Sequence, residues 1–485
     1  MTLFTDLLTG ITVQEIRGEL ALNVGQLRFD SRQVQPGDVF VAVRGTQTDG
    51  HQFIGAAIAQ GATVVVAEQW PALTPDAITW VRVANAGGAL GKMAANYFGN
   101  PSHQLTLVGI TGTNGKTTTV SLLYQLFTAL GHRVGLLSTI QNVIAGQVLP
   151  ATHTTPDAVA LNALLAQMVE AGCTHAFMEV SSHALAQYRT AGLRFAGAIF
   201  SNITHDHLDY HGTFDEYIRA KKLFFDHLEA SAFALINKDD KRGMVMGQNT
   251  VGQLHTFALK SGADFKAKVL SSTVRGLELD IDGRRAWFRL IGDFNAYNLL
   301  AIYGTAVLLG EDKERVLAKL SALDSAPGRF DRVVAANGTT AIVDYAHTPD
   351  ALKNVLQTIG HLRTGRERVV TLVGCGGNRD ATKRPIMARI ACEWSDAVIL
   401  TSDNPRFEEP AAILADMVVG VPQADQAKVQ VLTDRREAIK LACQHAQAGD
   451  ILLIAGKGHE DYQEIKGIKH PFDDKKIVTE YLLGN

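Results

Sequence analysis

Cysteine is scarce in this 485-residue chain: Cys173, Cys375, Cys392 and Cys443 are scattered without any CxxC spacing. That excludes a zinc knuckle and a disulfide framework, and leaves the four as small, buried or half-buried residues. An excess of one charge is missing too. With 46 Lys and Arg against 49 Asp and Glu, the formal net charge is −3, so nothing draws the whole chain to nucleic acid or to an anionic membrane. Any anion must be bound locally. Uninterrupted apolar runs of ~18 residues are absent, and the opening MTLFTDLLTG has no basic n-region. The expectation is a cytoplasmic protein with no membrane insertion and no nucleic-acid partner. Low-complexity tracts, short-period repeats and long runs of like charge are also lacking.

What is present is an ordinary soluble balance, 46% apolar and 20% charged, which predicts compact folding throughout. At roughly 100–200 residues per domain, the length predicts about three domains. Residues 1–100 read as a small α/β unit, with apolar runs at Val39–Val43 and Thr63–Ala67, closed by the turn Gly99–Asn100–Pro101. Residues 101–327 begin with a strand at Leu105–Thr111, continue through strands near Ala176–Val180, Gly197–Ser201 and Ala232–Asn237, and predict a mainly parallel sheet. Between Leu254 and Ile291, turns at Arg275–Gly276 and Asp282–Gly283 predict antiparallel edge hairpins. Residues 328–485 alternate strands and helices, as in a Rossmann-like, doubly wound sheet. Their apolar runs Ala341–Asp344, Val369–Val373, Ala397–Thr401 and Ile451–Ala455 each lead into a polar loop. Ligands bind beyond the carboxyl ends of such strands, so those loops should converge on one crevice.

Gly112–Thr113–Asn114–Gly115–Lys116–Thr117–Thr118 stands between the strand Leu105–Thr111 and a helix whose stripe is Val120, Leu123, Phe127 and Leu130. This is the setting of a phosphate-binding loop. Glycines turn backbone N–H groups toward phosphate, the helix N-terminus adds positive potential, Lys116 adds a full charge, and Thr117 is placed to hold Mg²⁺. Ile110 occupies the position where the general pattern has glycine. A nucleoside triphosphate is expected. Glu179 ends one strand, and His205, His207 and His211 follow another. Histidines at that spacing allow zinc, but with a phosphate loop in the same sheet magnesium is favoured, since it needs only one or two carboxylates plus phosphate oxygens. By its residues alone, Lys221 reads as a solvated helix position.

The loop Thr111–Thr118, the stretch Glu179–His183, the segment Asn202–Gly212 and Tyr217–Lys221 together resemble the Mur ligase family, nearly from end to end. The resemblance implies an ATP-dependent amide-bond ligase of peptidoglycan precursor synthesis. It implies Lys116, Lys221, Glu179 and His207 as catalytic residues, with Lys221 carbamylated and, beside Thr117, Glu179 and His207, a magnesium ligand. CO₂ added to a neutral lysine makes an anion, a change of about two charge units. Asn298 resembles an adenine contact, and Arg329, Asp344 and His347 resemble the residues by which the last domain reaches ATP. Without the resemblance, Arg329 and Asp344 would be linker and cap residues.

Asp30–Ser31–Arg32, with Phe29 before it, resembles the pattern of members that hold the UDP end of a muramoyl-dipeptide. His153, Thr154, Thr155, Ser181, Gln187 and Arg189 match positions that grip its peptide part; the chain departs from the family at His153 and His205. The dipeptide implied is UDP-N-acetylmuramoyl-L-alanyl-D-glutamate. Asp403–Asn404–Pro405–Arg406 resembles the motif that selects meso-diaminopimelate, with Arg379, Gly456 and Glu460 completing the pocket. Chemistry agrees: diaminopimelate carries a second carboxylate that lysine lacks, and a guanidinium fork suits it, while Glu460 would pair with an ammonium. A lysine-adding member, a folylpolyglutamate synthetase-like enzyme and a phosphate-loop switch that hydrolyses nucleotide are the alternatives. A monomer is expected.

Overall fold

The computed structural model describes residues 2–484 apart from Gln47, Thr152, residues 205–207, Thr364 and Arg366, with the backbone alone for Leu208 and Asp209. The chain forms two compact units, Met1–Lys266 with Tyr297–Lys319, and Ala267–Ala296 with Leu320–Asn485.

The first unit opens with a five-stranded sheet of order β1 (Val13–Arg17), β5 (Thr79–Val83), β4 (Val64–Ala67), β3 (Val39–Val41), β2 (Leu27–Arg28). Strands β3 and β4 are unbroken apolar runs buried along their whole length, as parallel strands covered on both faces must be. Helix α1 (Ala86–Tyr97) starts where the Asn85 side chain accepts the Gly88 N–H at 2.7 Å. Its buried face joins Phe4, Val39 and Val64 in one core, and Ala158, which opens α3 (Ala158–Glu170), belongs to the same core. The small sheet is thereby tied to α3 within this unit.

The second sheet runs, within the first unit, β9 (Gln147–Pro150), β8 (Gln141–Ile144), β7 (Val134–Leu137), β10 (His175–Glu179), β6 (Thr106–Thr111), β11 (Gly197–Phe200), β12 (Phe233–Asn237), β13 (Gln253–Ala258). From β7 to β13 the pairing is parallel. The chain leaves β6 for β7 and β10 on one side and comes back to β11 on the other. A topological switch point therefore lies beside β6, the place where such sheets bind ligands. The hairpin β8–β9 had not been anticipated. Ala145 and Gly146 at its tip have φ of 48° and 97°, the positive values that a two-residue hairpin of right-handed twist requires.

Strand β14 (Phe265–Thr273) begins in the first unit, where Phe265 and Lys266 pair in parallel with β13; from Ala267 on, in the second unit, it forms the expected antiparallel meander with β15 (Gly276–Ile281) and β16 (Arg284–Phe288). The last sheet has the order β17 (Asp331–Val334), β18 (Thr340–Asp344), β22 (Ile451–Ala455), β19 (Val369–Val373), β20 (Ala397–Thr401), β21 (Val429–Leu432), all parallel except β17. Alternate residues face opposite ways. Ile342 and Leu453 point to a core shared with α7 (Pro349–Leu362), α8 (Lys383–Trp394) and α9 (Pro410–Val418). Val343 and Leu452 point to another, shared with α10 (Arg435–His445) and α11 (Asp474–Leu483). This is the doubly wound α/β arrangement that the alternating pattern predicted. All four cysteines are buried and free. Among the described residues no helix is long and apolar enough to cross a membrane.

Candidate active site

Strand β6 ends at Thr111 and α2 (Lys116–Ala129) begins at Lys116, so the glycine-rich loop lies between them as predicted. Gly115 has a φ of 87°, and a Cβ there would stand 2.5 Å from Asn298 Oδ1. The position thus needs glycine for backbone and for space, and Asn298, on α6 (Asp293–Leu308), lies against the loop. Phe200 pairs with Thr111, which puts Ser201 and Asn202 beside the loop as well. The Asn202 side chain accepts the Asn114 N–H at 2.9 Å and donates to the Asn114 carbonyl at 3.1 Å, while Ser201 Oγ donates to the same carbonyl at 2.7 Å. Neither residue had been singled out; their place directly after a strand next to β6 was the available signal. Thr117 and Thr118 are buried in the first turn of α2, and Lys116 Nζ donates to the carbonyls of Gly112 and Thr113, 2.9 Å each. Ile110 is wholly buried in β6 between Glu179 and Ile199, so the non-glycine residue at that position belongs to the strand.

Lys221 corrects the reading from residue type. It is only 1% exposed. In α5 (Phe214–Asp226) it follows Tyr217 by four positions and precedes Phe224 and Phe225 by three and four, all within the buried stripe. Its Nζ donates to the Gly112 carbonyl at 2.9 Å and lies 4.6 Å from the centre of the Tyr217 ring. Two lysine amines therefore converge on one carbonyl. His207 lies outside the described residues, as does His205.

Glu179 is buried at the end of β10. Its carboxylate accepts the Thr139 N–H at 2.8 Å and the Thr139 hydroxyl at 3.1 Å; Thr139 Oγ1 also lies 3.0 Å from Thr154 Oγ1, within hydrogen-bond distance. Thr155 Oγ1 donates to the Glu179 carbonyl at 2.8 Å and accepts at 3.1 Å the N–H of Ser181, the residue before α4 (Ser182–Ala186). Arg189 donates to the Thr155 carbonyl at 2.7 Å and forks onto Gln187 Oε1, and Gln187 donates to the Tyr210 hydroxyl at 3.0 Å. Five predicted residues, Thr154, Thr155, Ser181, Gln187 and Arg189, thus form one network with Glu179, and Thr139 and Tyr210 complete it unforeseen. His153 is exposed at its border. Phe29, 40% exposed, and the buried Ser31 sit on a separate turn after β2, which the Asp30 carboxylate caps through the Arg32 N–H.

In the second unit, Asp344 ends β18. Its carboxylate accepts the N–H groups of Phe330 at 2.7 Å and Ala346 at 2.9 Å; burial pushes it up, against the pull of the Arg329 guanidinium and of these two donors. Arg329 lies 4.7 Å from the centre of the Tyr345 ring, whose hydroxyl burial pushes up to about 12. The exposed His347 and the half-buried His459 flank that ring at 4.6 and 5.0 Å. Burial, with the nearby Arg329 and Lys457 charges, lowers His459 to about 4, so this unpredicted imidazole is neutral at ordinary pH.

The predicted loops do meet beyond β20 and β22. Gly456 has a φ of 115°, and a Cβ on it would stand 2.6 Å from Asp403 Oδ2. Asn404 Nδ2 donates to Glu460 Oε2 at 2.8 Å, and Asn404 Oδ1 accepts the Glu464 N–H at 2.9 Å. Pro405 is buried behind them. Arg406, at a φ of 52°, donates to the Gly377 carbonyl at 3.0 Å and lies 3.4 Å from the Glu464 carboxylate. Arg379 is exposed on the adjoining loop. Arg435 had not been predicted. Wholly buried, it is bonded twice to Asp474, at 2.8 and 2.6 Å, and donates to the carbonyls of Ala455 at 3.0 Å and Ser402 at 3.4 Å. It grips the two strand ends from which the Asp403–Arg406 and Gly456–Glu460 loops depart.

Comparison with known proteins adds an independent finding. Residues 23–98 match the family described as "Mur ligase family, catalytic domain", residues 110–306 the Mur ligase middle domain, and residues 328–458 the Mur ligase glutamate ligase domain. The UDP-N-acetylmuramoyl-L-alanyl-D-glutamate–2,6-diaminopimelate ligase of Cytophaga hutchinsonii is 60% identical over 98% of each chain. The protein of the same name from Chlorobaculum tepidum is 44% identical over 93% of this chain and 90% of its own. A solved structure of a ligase with that name shares 33% identity, with a TM-score of 0.71 over 99% of this chain and 98% of that one. The MurF ligase of Thermotoga maritima, solved with ADP, shares the fold at 20% identity and a TM-score of 0.58, over 94% of this chain and 96% of its own.

Proposed function

The chain belongs to the Mur ligase family of ATP-dependent amide-bond ligases, and from that premise we propose that it joins 2,6-diaminopimelate to UDP-N-acetylmuramoyl-L-alanyl-D-glutamate in peptidoglycan precursor synthesis. The isomer taken is the meso form, the protein acts as a cytoplasmic monomer, and three domains, 1–100, 101–327 and 328–485, divide the binding of its substrates.

A carboxylate does not react with amines at neutral pH, because its oxygen is a poor leaving group. In the proposed reaction the D-glutamate γ-carboxylate attacks the γ-phosphorus of ATP, giving an acyl phosphate and ADP. The amine of diaminopimelate then attacks the acyl carbon, and phosphate leaves with the C–O bond electrons. Lys116 places its charge beside the phosphates, and Asn298 orients the nucleotide against the loop. Thr154, Thr155, Ser181, Gln187 and Arg189 hold the peptide part of the dipeptide, Phe29 and Ser31 its UDP end, while Arg329, Asp344 and His347 serve the nucleotide. Arg406 receives the far carboxylate of diaminopimelate and Glu460 its ammonium, with Arg379, Asp403, Asn404, Pro405 and Gly456 shaping the pocket.

Mg²⁺ fits the donors present, since Glu179 offers a buried carboxylate oxygen and Thr117 a hydroxyl, both hard oxygen ligands. The ion would neutralise phosphate charge. Lys221 as a carbamate and His207 would complete the set. Two lysine amines on one carbonyl, 2.9 Å each, support the carbamate, because converting one of them to an anion removes the like-charge repulsion.

The observation that carries the amino-acid assignment is the joining of Arg406 and Glu460 to one loop cluster, a guanidinium for a carboxylate and a carboxylate for an ammonium. Phosphate release by the purified chain with ATP and the UDP-muramoyl-dipeptide, with diaminopimelate or L-lysine, tests it. Turnover should need the dipeptide and prefer diaminopimelate. ATP consumption without a new peptide bond would refute the assignment, and Lys116→Ala should abolish the reaction.

A further inference from the structure

Lys457 has no role in the scheme above. It lies in the loop after β22 with 0% exposure, a place where an ammonium is rarely found unless it is paired. Its Nζ donates to Asn404 Oδ1 and to Glu460 Oε2, 3.0 Å each, and stands 5.5 Å from the centre of the Tyr462 ring. Asn404 Nδ2 donates to the same Glu460 oxygen at 2.8 Å. The three side chains close a triangle in which Glu460 takes part through Oε2 alone.

We infer that Lys457 is the positioning residue of the amino-acid pocket: it anchors Glu460 by Oε2, leaves Oε1 to receive the substrate's ammonium, and through Asn404 sets the loop that carries Arg406. The inference rests on the diaminopimelate reading above. A filler of the same volume would not do this work. Burial and the facing Asp403 carboxylate push Glu460 up, toward its neutral acid, and Lys457 opposes them with its charge and its hydrogen bond. The other ionisable groups that bear on Glu460 are Tyr345 after β18, Tyr462 on β23 (Tyr462–Ile465) and Arg435 on α10. Only Lys457 and Asn404 donate to its carboxylate among the described contacts. A neutral Glu460 would no longer pair with a cation, so the ammonium of Lys457 keeps the site able to bind one.

The test uses the full chain with ATP, the UDP-muramoyl-dipeptide and a diamino acid, comparing Lys457→Met, Lys457→Gln and Lys457→Arg. Met and Gln should raise KM for diaminopimelate about tenfold or more, the scale of one charge-assisted contact, and leave KM for ATP within about threefold. The acid limb of kcat/KM for diaminopimelate should move to higher pH in both, and Arg should restore it. In a Glu460→Gln background, Lys457→Gln should add less than about twofold, because its target is already neutral. The inference is overturned if both KM values rise together, if the acid limb stays in place, or if the two substitutions multiply. Should Lys457→Met fail to fold, Gln against Arg decides: restoration by Arg alone supports the role, and equal behaviour overturns it. The variants are compared on whichever diamino acid the wild type joins. A preference for L-lysine would therefore sink the substrate reading while the Lys457 comparison still stands.

Discussion

Removing one partner of the buried Arg435–Asp474 pair should cost both stability and amino-acid binding, and the two costs should separate. Both side chains are wholly inaccessible, and the two bonds between them, 2.8 and 2.6 Å, are of the charge-assisted kind. Asp474→Ala deletes both and leaves a guanidinium facing the carbonyls of Ala455 and Ser402, which neutralise none of its charge. Breaking a buried pair from one side costs about 3–5 kcal/mol. For a unit of this size, each kcal/mol lowers the midpoint by about 2–4 °C, so a fall of roughly 6–20 °C is expected in calorimetry of the full chain. The double variant Arg435→Met with Asp474→Leu removes the stranded charge and should recover most of that loss. It cannot recover the grip on the two carbonyls. KM for diaminopimelate should therefore stay raised in the double variant while its melting approaches that of the wild type. If the single variant costs under about 1 kcal/mol, or if single and double variants melt together, the charge is not what holds these strand ends.

Arg406→Ala should raise KM for diaminopimelate about tenfold or more, as loss of one charge-assisted contact predicts, and change KM for ATP little; equal small changes in phosphate-release kinetics would argue against its role. Gly115→Ala places a Cβ 2.5 Å from Asn298 Oδ1 at a φ of 87°; strain of about 1–3 kcal/mol should appear as weaker ATP use with diaminopimelate use nearly unchanged, read from the two KM values. His175 carries a pH dependence: burial and the neighbouring His132 lower it from the ordinary 6.5 to about 4. Between those values the unfolded chain binds a proton that the folded chain refuses, so stability should fall as pH drops from about 6.5 toward 4 and level off below. Urea midpoints at pH 7 and 5 for wild type and His175→Gln check this, and the variant should show a shallower loss.

The elements that a local pattern can specify were legible before any coordinates. The glycine-rich loop is encoded by adjacent residues, strand then glycines then helix, and it lies between that strand and that helix as they predicted. The unbroken apolar runs of the last region form its parallel strands with nearly the expected bounds, because burial on both faces leaves no other composition open to them. The burial of Lys221 was misread from its residue type: a lysine reads as solvated, and only the helix shows it in the stripe of Tyr217, Phe224 and Phe225. Arg435, Asp474, Asn202, Thr139 and Lys457 were not legible. Each acts through a partner on another strand or helix, at separations of 39 residues for Arg435 with Asp474, 88 for Asn202 with Asn114 and 53 for Lys457 with Asn404. Local sequence was enough to mark the candidate segments and the elements that flank them, since periodicity and loop glycines are short-range properties. Which buried charges hold those segments in place emerged with the folded arrangement, because a hydrogen bond across a sheet depends on strand order and register, and no single segment contains either.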